Sequence, residues 1–550
     1  MAKKHSTTAL TAEQKAAQDA RYAEGHEYDY VIVGSGSSAL TVGSLLANQG
    51  YKICLLEAHD IPGGYLQSFK MGDYRFCAQV HYIWGCAPGG KIYEFLKRIG
   101  LEKDITFELM DPKGYDVMAM PDGKRVRVPY GFDKLVANVE EAYPGQGEAA
   151  KRFFDVIEKL RVEMGYFPNR ALRWTDYLTT AIKVPTVIKY RNATVQDVFD
   201  ELRVPKEAQT VLMANAGDFM ESPERLSIFM YTGLMGGYNT GSYYPTKHFK
   251  HYVDRLVQFI TDHPGCHIYY ETEVSSIVTE NGKVTRVETK DGKTFKAKNY
   301  ICNIDPAMGM KLVKGEVPAS YKKKLEYEQS PSSVTIYLGL KDVDMKALGF
   351  GSYNIWHHEQ WDINKSWKDQ LSGDFSHPWI FLSTPTLHTH EGGTAPEGKQ
   401  ILEISTLASY KIFKDAQERS YTEYLKMKNA VAEKMLDIVE QKYIPNLRKH
   451  IELKVVGTSV TNEDFIMSPE GSCYGSAMIP SQVKTRVRSK TPFENMYWCN
   501  ATSGWSGVYG TVTTGMGLYS ELTGDEFYDP TKVSDEQFIA DLPKLYPNQF

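Results

Sequence analysis

Tyr30–Gly43 reads YVIVGSGSSALTVG. Four apolar or aromatic residues run into a glycine turn, and small residues follow it. Asp29–Val33 is rich in Val, Ile and Tyr and alternates little, as a strand buried in a parallel sheet does. Thr41–Asn48 reads as a helix, and Gly50 ends it. Tyr51–Leu56 reads as a second strand that delivers Glu57. The unit is strand–turn–helix–strand, spaced G-x-G-x-x-A, with an acid 23 residues after the first glycine. Gly34 permits the tight turn, and Gly36 lets a pyrophosphate approach the backbone. Ala39 is small enough for the helix to pack on the strand. Ser38 sits in the first small-residue stretch, where a helix N-terminus offers unpaired N–H groups to phosphates. Glu57 can accept hydrogen bonds from a ribose diol. The turn is therefore expected to hold a dinucleotide.

The chain has 550 residues, too many for one simple core, so two domains are expected. An apolar share of 42% and a charged share of 24% are ordinary for a globular protein. A net charge of −5 argues against a nucleic-acid partner, which calls for a basic field. The seven cysteines form no CxxC pair, so neither a metal site nor a disulfide framework is expected. Scattered thiols fit a reducing cytoplasm. Residues 1–26 lack the apolar core of a signal peptide. No run approaches the roughly 18 apolar residues of a spanning helix. A cytoplasmic protein, free or resting on a membrane surface, is expected.

The sequence continues LLEAHDIPGGYLQSF, and Gly63-Gly64 soon after the ribose acid is more typical of flavoproteins than of nicotinamide dehydrogenases. This segment resembles the phytoene desaturase superfamily. Its members carry an acid, a short spacer and a Gly-Gly pair against FAD. By that resemblance Glu57, Ala58, Gly63, Gly64 and Tyr65 fall at the cofactor. Tyr65 stands where desaturases usually have Arg. Phe76–Gly85, FCAQVHYIWG, resembles the retinol saturase and carotene isomerase branch, which places Ile-His-Tyr here. His81-Tyr82 is kept, while Cys77 and Gln79 replace the family's Asp and Gly.

The resemblance recurs along the chain. In residues 271–306, Asn281-Gly282 and Asp291-Gly292 are turn signals between alternating strands. A small antiparallel meander is expected, returning to a buried strand at Asn299–Cys302. In the family a backbone contact to adenine falls at the position of Val274. Ser332–Leu340 and Ala395–Ser405 look like substrate-domain strands, and Gly471–Gly475 (GSCYG) like a motif near the flavin ring. Thr491–Gly515 looks like the closing FAD motif, with Asn500, Gly507 and Val508 at the cofactor. The fold class implied is α/β: an FAD-binding Rossmann-type (glutathione-reductase-like) domain with an interleaved α+β substrate domain. The FAD-binding domain is expected over 27–140, 246–312 and 486–525. The substrate domain is expected over 141–245 and 313–485. Residues 1–26 and 526–550 read as tails.

The resemblance implies an oxidoreductase acting on carbon–carbon double bonds of a hydrophobic polyene or isoprenoid, by saturation, isomerisation or desaturation. FAD is the cofactor implied, with NAD(P)H as a possible reductant. Flavin carries the hydride chemistry, and the protein supplies orientation and exclusion of water. A proton donor is still needed for reduction or isomerisation. Candidates are His81, Tyr82, Tyr244, Lys247 and Tyr474. An alternative is a flavoenzyme of unsaturated fatty acids, in which Lys247 or Arg225 would bind a carboxylate. An amine oxidase shares the fold, but no aromatic cage with a lysine–water pair is identifiable. Arg161–Arg191 interleaves basic and aromatic residues, as a peripheral membrane contact would.

Overall fold

The computed structural model describes residues 10–166, 182–530 and 532–550. Five parallel strands form one sheet. In order across it they are His267–Tyr269, Ile53–Leu56, Tyr28–Val33, Ala297–Cys302 and Met496–Trp498. The YVIV segment is its centre, which explains an apolar run without alternation: Val31 and Ile32 are fully buried from opposite faces. The helix after the turn runs Ser37–Asn48, four residues earlier than expected. Gly36 takes the extended N-cap conformation, so the small residues form the first helical turn rather than a loop.

Two helices pack on Ser37–Asn48: His248–Asp262 and Gly507–Thr523. A Cβ on Gly515 would lie 2.7 Å from Thr41 Cβ, so small residues let the last helix cross closely. The meander is present as Val274–Glu280, Lys283–Thr289 and Thr294–Phe295, antiparallel throughout. Val313–Lys314 adds a parallel edge.

A seven-stranded mixed sheet forms the other half. Its order is Ile451–Gly457, Ser332–Leu340, Gln400–Ala408, Ile380–Ser383, Asn354–His357, Asp116–Ala119, Arg125–Val128. The expected strand over 395–405 thus runs Gln400–Ala408. The expected first boundary near residue 140 falls too late for the sheets: Asp116–Ala119 pairs in parallel with Asn354–His357, so the chain has changed sheets before residue 116.

Neither terminal segment is a simple tail over its described residues. Ala12–Ala23 is a helix with a Thr11/Gln14 capping box. Gln18 Nε2 donates to the Tyr270 carbonyl, and the Tyr270 N–H donates back to Gln18 Oε1 at 2.7 Å. Asp535–Leu545 is a helix capped by Ser534, with Leu542 fully buried and Arg161 paired to Asp535. Both helices bury a side chain in a core, which a free tail has no partner to do.

Candidate active site

The glycine turn is held open by its neighbours rather than by its own side chains. Gly34, at φ +95°, donates its N–H to the Leu56 carbonyl at 2.8 Å. Gly36 donates to Asn303 Oδ1 at 2.8 Å, and Asn303 Nδ2 reaches Ser38 Oγ and the Cys499 carbonyl. Three distant stretches of chain are thereby locked around one turn. Glu57 accepts from the Ser35 N–H and hydroxyl through Oε2 and from the His59 N–H through Oε1. Burial pushes its carboxyl above the usual range, although these donors pull it back. Gly63 is bridged to Gly36, and Gly64 would bring a Cβ within 3.5 Å of Gly36 Cα. Two glycine stretches therefore face each other with no side chain between them.

These residues line one end of a cavity of about 400 Å³. Of the residues expected at a cofactor, Gly34, Gly36, Ser38, Glu57, Ala58, Gly63, Gly64, Tyr65, Val274, Asn500, Gly507 and Val508 all lie on its lining. Ala39 does not; it is fully buried in the helix behind. Tyr65 donates its hydroxyl to the Ser472 carbonyl at 2.7 Å, tying the Gly-Gly turn to the GSCYG segment. Asn500 Nδ2 donates to the Ile304 carbonyl at 2.8 Å. The helix starting at Gly507 points its first turn at the same space, with Gly507, Val508 and Thr511 on the lining. The lining also holds Ser37, whose buried hydroxyl has no partner among the described residues. The lack of intervening side chains, two helix N-termini and a bare hydroxyl fit a dinucleotide laid along the turn.

The cavity continues past Gln79, His81 and Tyr474 to Trp356, Trp379 and Phe381 on the seven-stranded sheet. His81 Nδ1 lies 2.8 Å from Glu403 Oε2, and its ring packs on Phe381 at 4.7 Å. Gly217 makes room for the two indoles: a Cβ there would lie 2.6 Å from Trp379 and 2.7 Å from Trp356. The described lining contains no Lys or Arg. The other candidates for proton transfer sit elsewhere. Lys247 is exposed and Tyr244 is buried behind His248 and His388, both off the lining. Tyr82 is also off the lining, with its hydroxyl against Asp218 at 2.6 Å and Asp116 at 2.9 Å. Asp218 does line the cavity. Sequence reasoning missed Asp218, Asp116, Trp356 and Trp379, because each stands in an unremarkable local context.

Residues 32–99 match the family described as an NAD(P)-binding Rossmann-like domain. An all-trans-retinol 13,14-reductase of Danio rerio is 22% identical over 526 residues, 88% of this chain and 84% of that protein. A chloroplastic prolycopene isomerase of Daucus carota is 25% identical over 467 residues, 82% of this chain and 72% of that protein. A solved putrescine oxidase bound to putrescine shares the fold, with a TM-score of 0.63 at 12% identity over 91% of this chain and 99% of its own. Fold and site together define a Rossmann-like dinucleotide-binding domain joined to a second, seven-stranded sheet, an architecture shared with the solved oxidase. Over most of its length the chain is similar to all-trans-retinol 13,14-reductases and prolycopene isomerases.

Proposed function

We propose that this protein binds FAD along Gly34–Ser38, Glu57 and Gly63–Tyr65 and reduces or isomerises carbon–carbon double bonds of a neutral, hydrophobic polyene. One observation carries the reading. A single cavity joins the glycine turn to an indole and phenyl floor, and its described lining offers no Lys or Arg. A polyene has no charged handle to be met, whereas a fatty-acid carboxylate calls for a basic partner. Arg225 does not supply one, since it is already paired with Glu221 and Glu328. The retinoid and carotenoid names of the relatives support the same substrate class.

FAD supplies hydride transfer when bound. The residues of this chain do the rest. The apolar floor aligns the polyene and excludes water. Tyr65 fixes the turn against the GSCYG segment. His81, held by Glu403, presents an imidazole to the same space. The test is anaerobic bleaching of the purified flavin by NAD(P)H or dithionite, then reoxidation by retinoid, carotenoid or fatty-acid candidates with product mass. Reoxidation by a fatty acid alone would replace the polyene reading.

A peripheral membrane contact belongs to the same proposal. Phe167, Arg170, Arg173, Trp174 and Tyr177 of the basic-aromatic segment lie outside the described residues. Flanking them, Val162, Tyr166, Ile182 and Ile188 are exposed, while Arg161 and Lys189 are ion-paired within the protein. Among the described residues no helix is long and apolar enough to cross a membrane. Protein is expected to pellet with anionic liposomes and to release partly as salt shortens electrostatic reach to about 8 Å. Apolar contact would keep a remainder bound. No pelleting at low salt removes the membrane face.

A further inference from the structure

Behind the cavity wall three polar side chains from separate elements meet. Tyr82 precedes the short strand Ile83–Trp84, Asp116 opens the strand Asp116–Ala119, and Asp218 closes the one-turn 3-10 helix Ala216–Asp218. Asp116 is completely buried and Tyr82 nearly so. One hydroxyl contacts two carboxyl groups, Asp218 Oδ2 at 2.6 Å and Asp116 Oδ2 at 2.9 Å. A phenol carries a single proton, so it can donate to only one of them. The other contact holds only if that carboxyl donates in return. Two buried anions against one hydroxyl would also repel each other.

We propose that Asp116, Tyr82 and Asp218 form a proton-holding relay, and that its cavity end, Asp218, protonates the substrate double bond. The proposal rests on the polyene reading above. Asp116 is the inner store. Its Oδ1 is buried and makes no hydrogen bond of normal geometry among the described residues, although the Trp356 and Asn354 side chains face the carboxyl and pull toward its anion. Burial, then the neighbouring Asp218, pushes its titration well above the carboxylate range. Asp218 is the outer member, and only it reaches the lining. Burial raises it to about 7, while Tyr82, Asn215 and His81 hold it down. Tyr115, Tyr130, Tyr238 and Tyr474 also stand around the cluster, and burial keeps each phenol neutral. Tyr82 is thus a positioning and relay residue rather than the donor itself.

The step balances simply. The Asp218 O–H bond breaks as a C–H bond forms on one alkene carbon. The neighbouring carbon receives a hydride, so the double bond is reduced by two electrons. A bound flavin would supply that hydride, its electrons coming from a two-electron reductant of the NAD(P)H class. The Tyr82 proton then passes to Asp218 and the Asp116 proton to Tyr82. After product leaves, a solvent proton enters at Asp218, the member on the lining, as the Asp218 proton passes to Tyr82 and the Tyr82 proton to Asp116, which restores the starting state.

Two measurements test this. In infrared spectra at about pH 8, ordinary carboxyls are ionised. The wild-type minus Asp116→Asn difference must still contain a protonated-carboxyl C=O band. This readout needs neither cofactor nor substrate, and its absence overturns the relay. If Asp116→Asn does not fold, pH titration of the same band in the wild type decides: a band gone at about pH 8 overturns the relay. The second measurement is reduction of a retinoid by pre-reduced holoenzyme. Asp218→Asn is expected to keep its flavin absorbance and slow product formation about 10²–10⁴-fold. In the wild type the rate is expected to fall as pH rises through about 7. In Tyr82→Phe that fall is expected at higher pH, because the lost O–H donor had stabilised the Asp218 anion. A flavin-replete Asp218→Asn enzyme with wild-type rate overturns the donor role. Absence of product from every polyene overturns the donor role together with the proposed function, and leaves the infrared band as the separate test of the relay.

Discussion

Gly36→Val is expected to yield a colourless protein. The position has no room for any side chain. A Cβ there would sit 2.6 Å from Asn303 Oδ1, the acceptor that holds the Gly36 N–H. Asn303 is not free to retreat, because its amide also binds Ser38 and the Cys499 carbonyl. Pushing Gly36 away from Asn303 meets Gly64, whose own Cβ position lies 3.5 Å from Gly36 Cα, so the two glycine stretches cannot keep their spacing. Overpacking of this kind costs about 1–3 kcal/mol in stability. Loss of ligand space is all-or-none, and the larger effect is on the cofactor. The measurement is flavin absorbance per chain after purification, beside circular dichroism to show that the fold persists. A folded variant with one flavin per chain refutes the placement of the dinucleotide.

The second large effect is on stability against pH. Asp218 titrates at about 7 in the folded protein, against an ordinary value of 3.8. A carboxyl raised on folding holds its proton more tightly in the native state. Its stabilising contribution is therefore complete below about pH 4 and is lost as pH rises through about 7. Asp218 is packed by protein on most sides but keeps some exposure on the cavity side, which screens part of the shift. The loss from this one group is then roughly 2–4 kcal/mol across the window. Asp218→Asn cannot titrate. Its denaturant midpoint is expected to change less between about pH 5 and pH 8 than that of the wild type. Equal pH dependence in the two proteins would mean that Asp218 is already ionised on folding.

The contrast between Glu57 and Asp218 shows what a sequence of this kind reveals. Glu57 could be read because strand, turn, helix and strand are contiguous and their spacing is fixed by backbone geometry. Asn303, which closes the same turn, stood in a segment identified as a buried strand end, but its partner Gly36 is 267 residues away. Asp218 and Asp116 meet only through tertiary packing, and neither NAGDFM nor GYDVMAM carries a local pattern. The terminal helices are a different case, since their signals were present. Thr11-Ala-Glu-Gln14 and Ser534-Asp-Glu-Gln537 are both S/T-x-x-Q starts followed by helix-forming residues. The seven-stranded sheet was legible strand by strand at Ser332–Leu340. The joining of Asp116–Ala119 to it was not, because a parallel partner 238 residues later leaves no mark on either strand.

The bond between Ser38 and the Cys499 carbonyl, 461 residues apart, has a consequence for biosynthesis. The central strand of the five-stranded sheet leaves the ribosome long before its far edge, Met496–Trp498. At about 5–20 residues per second, tens of seconds separate them. Once made, Ala297–Cys302 presents an unpaired edge until Met496–Trp498 arrives, and the turn meant for the nucleotide lacks one of its walls. Binding at this turn therefore waits until Cys499 has been made, and a nascent chain stalled before that point carries the nucleotide turn without its last wall.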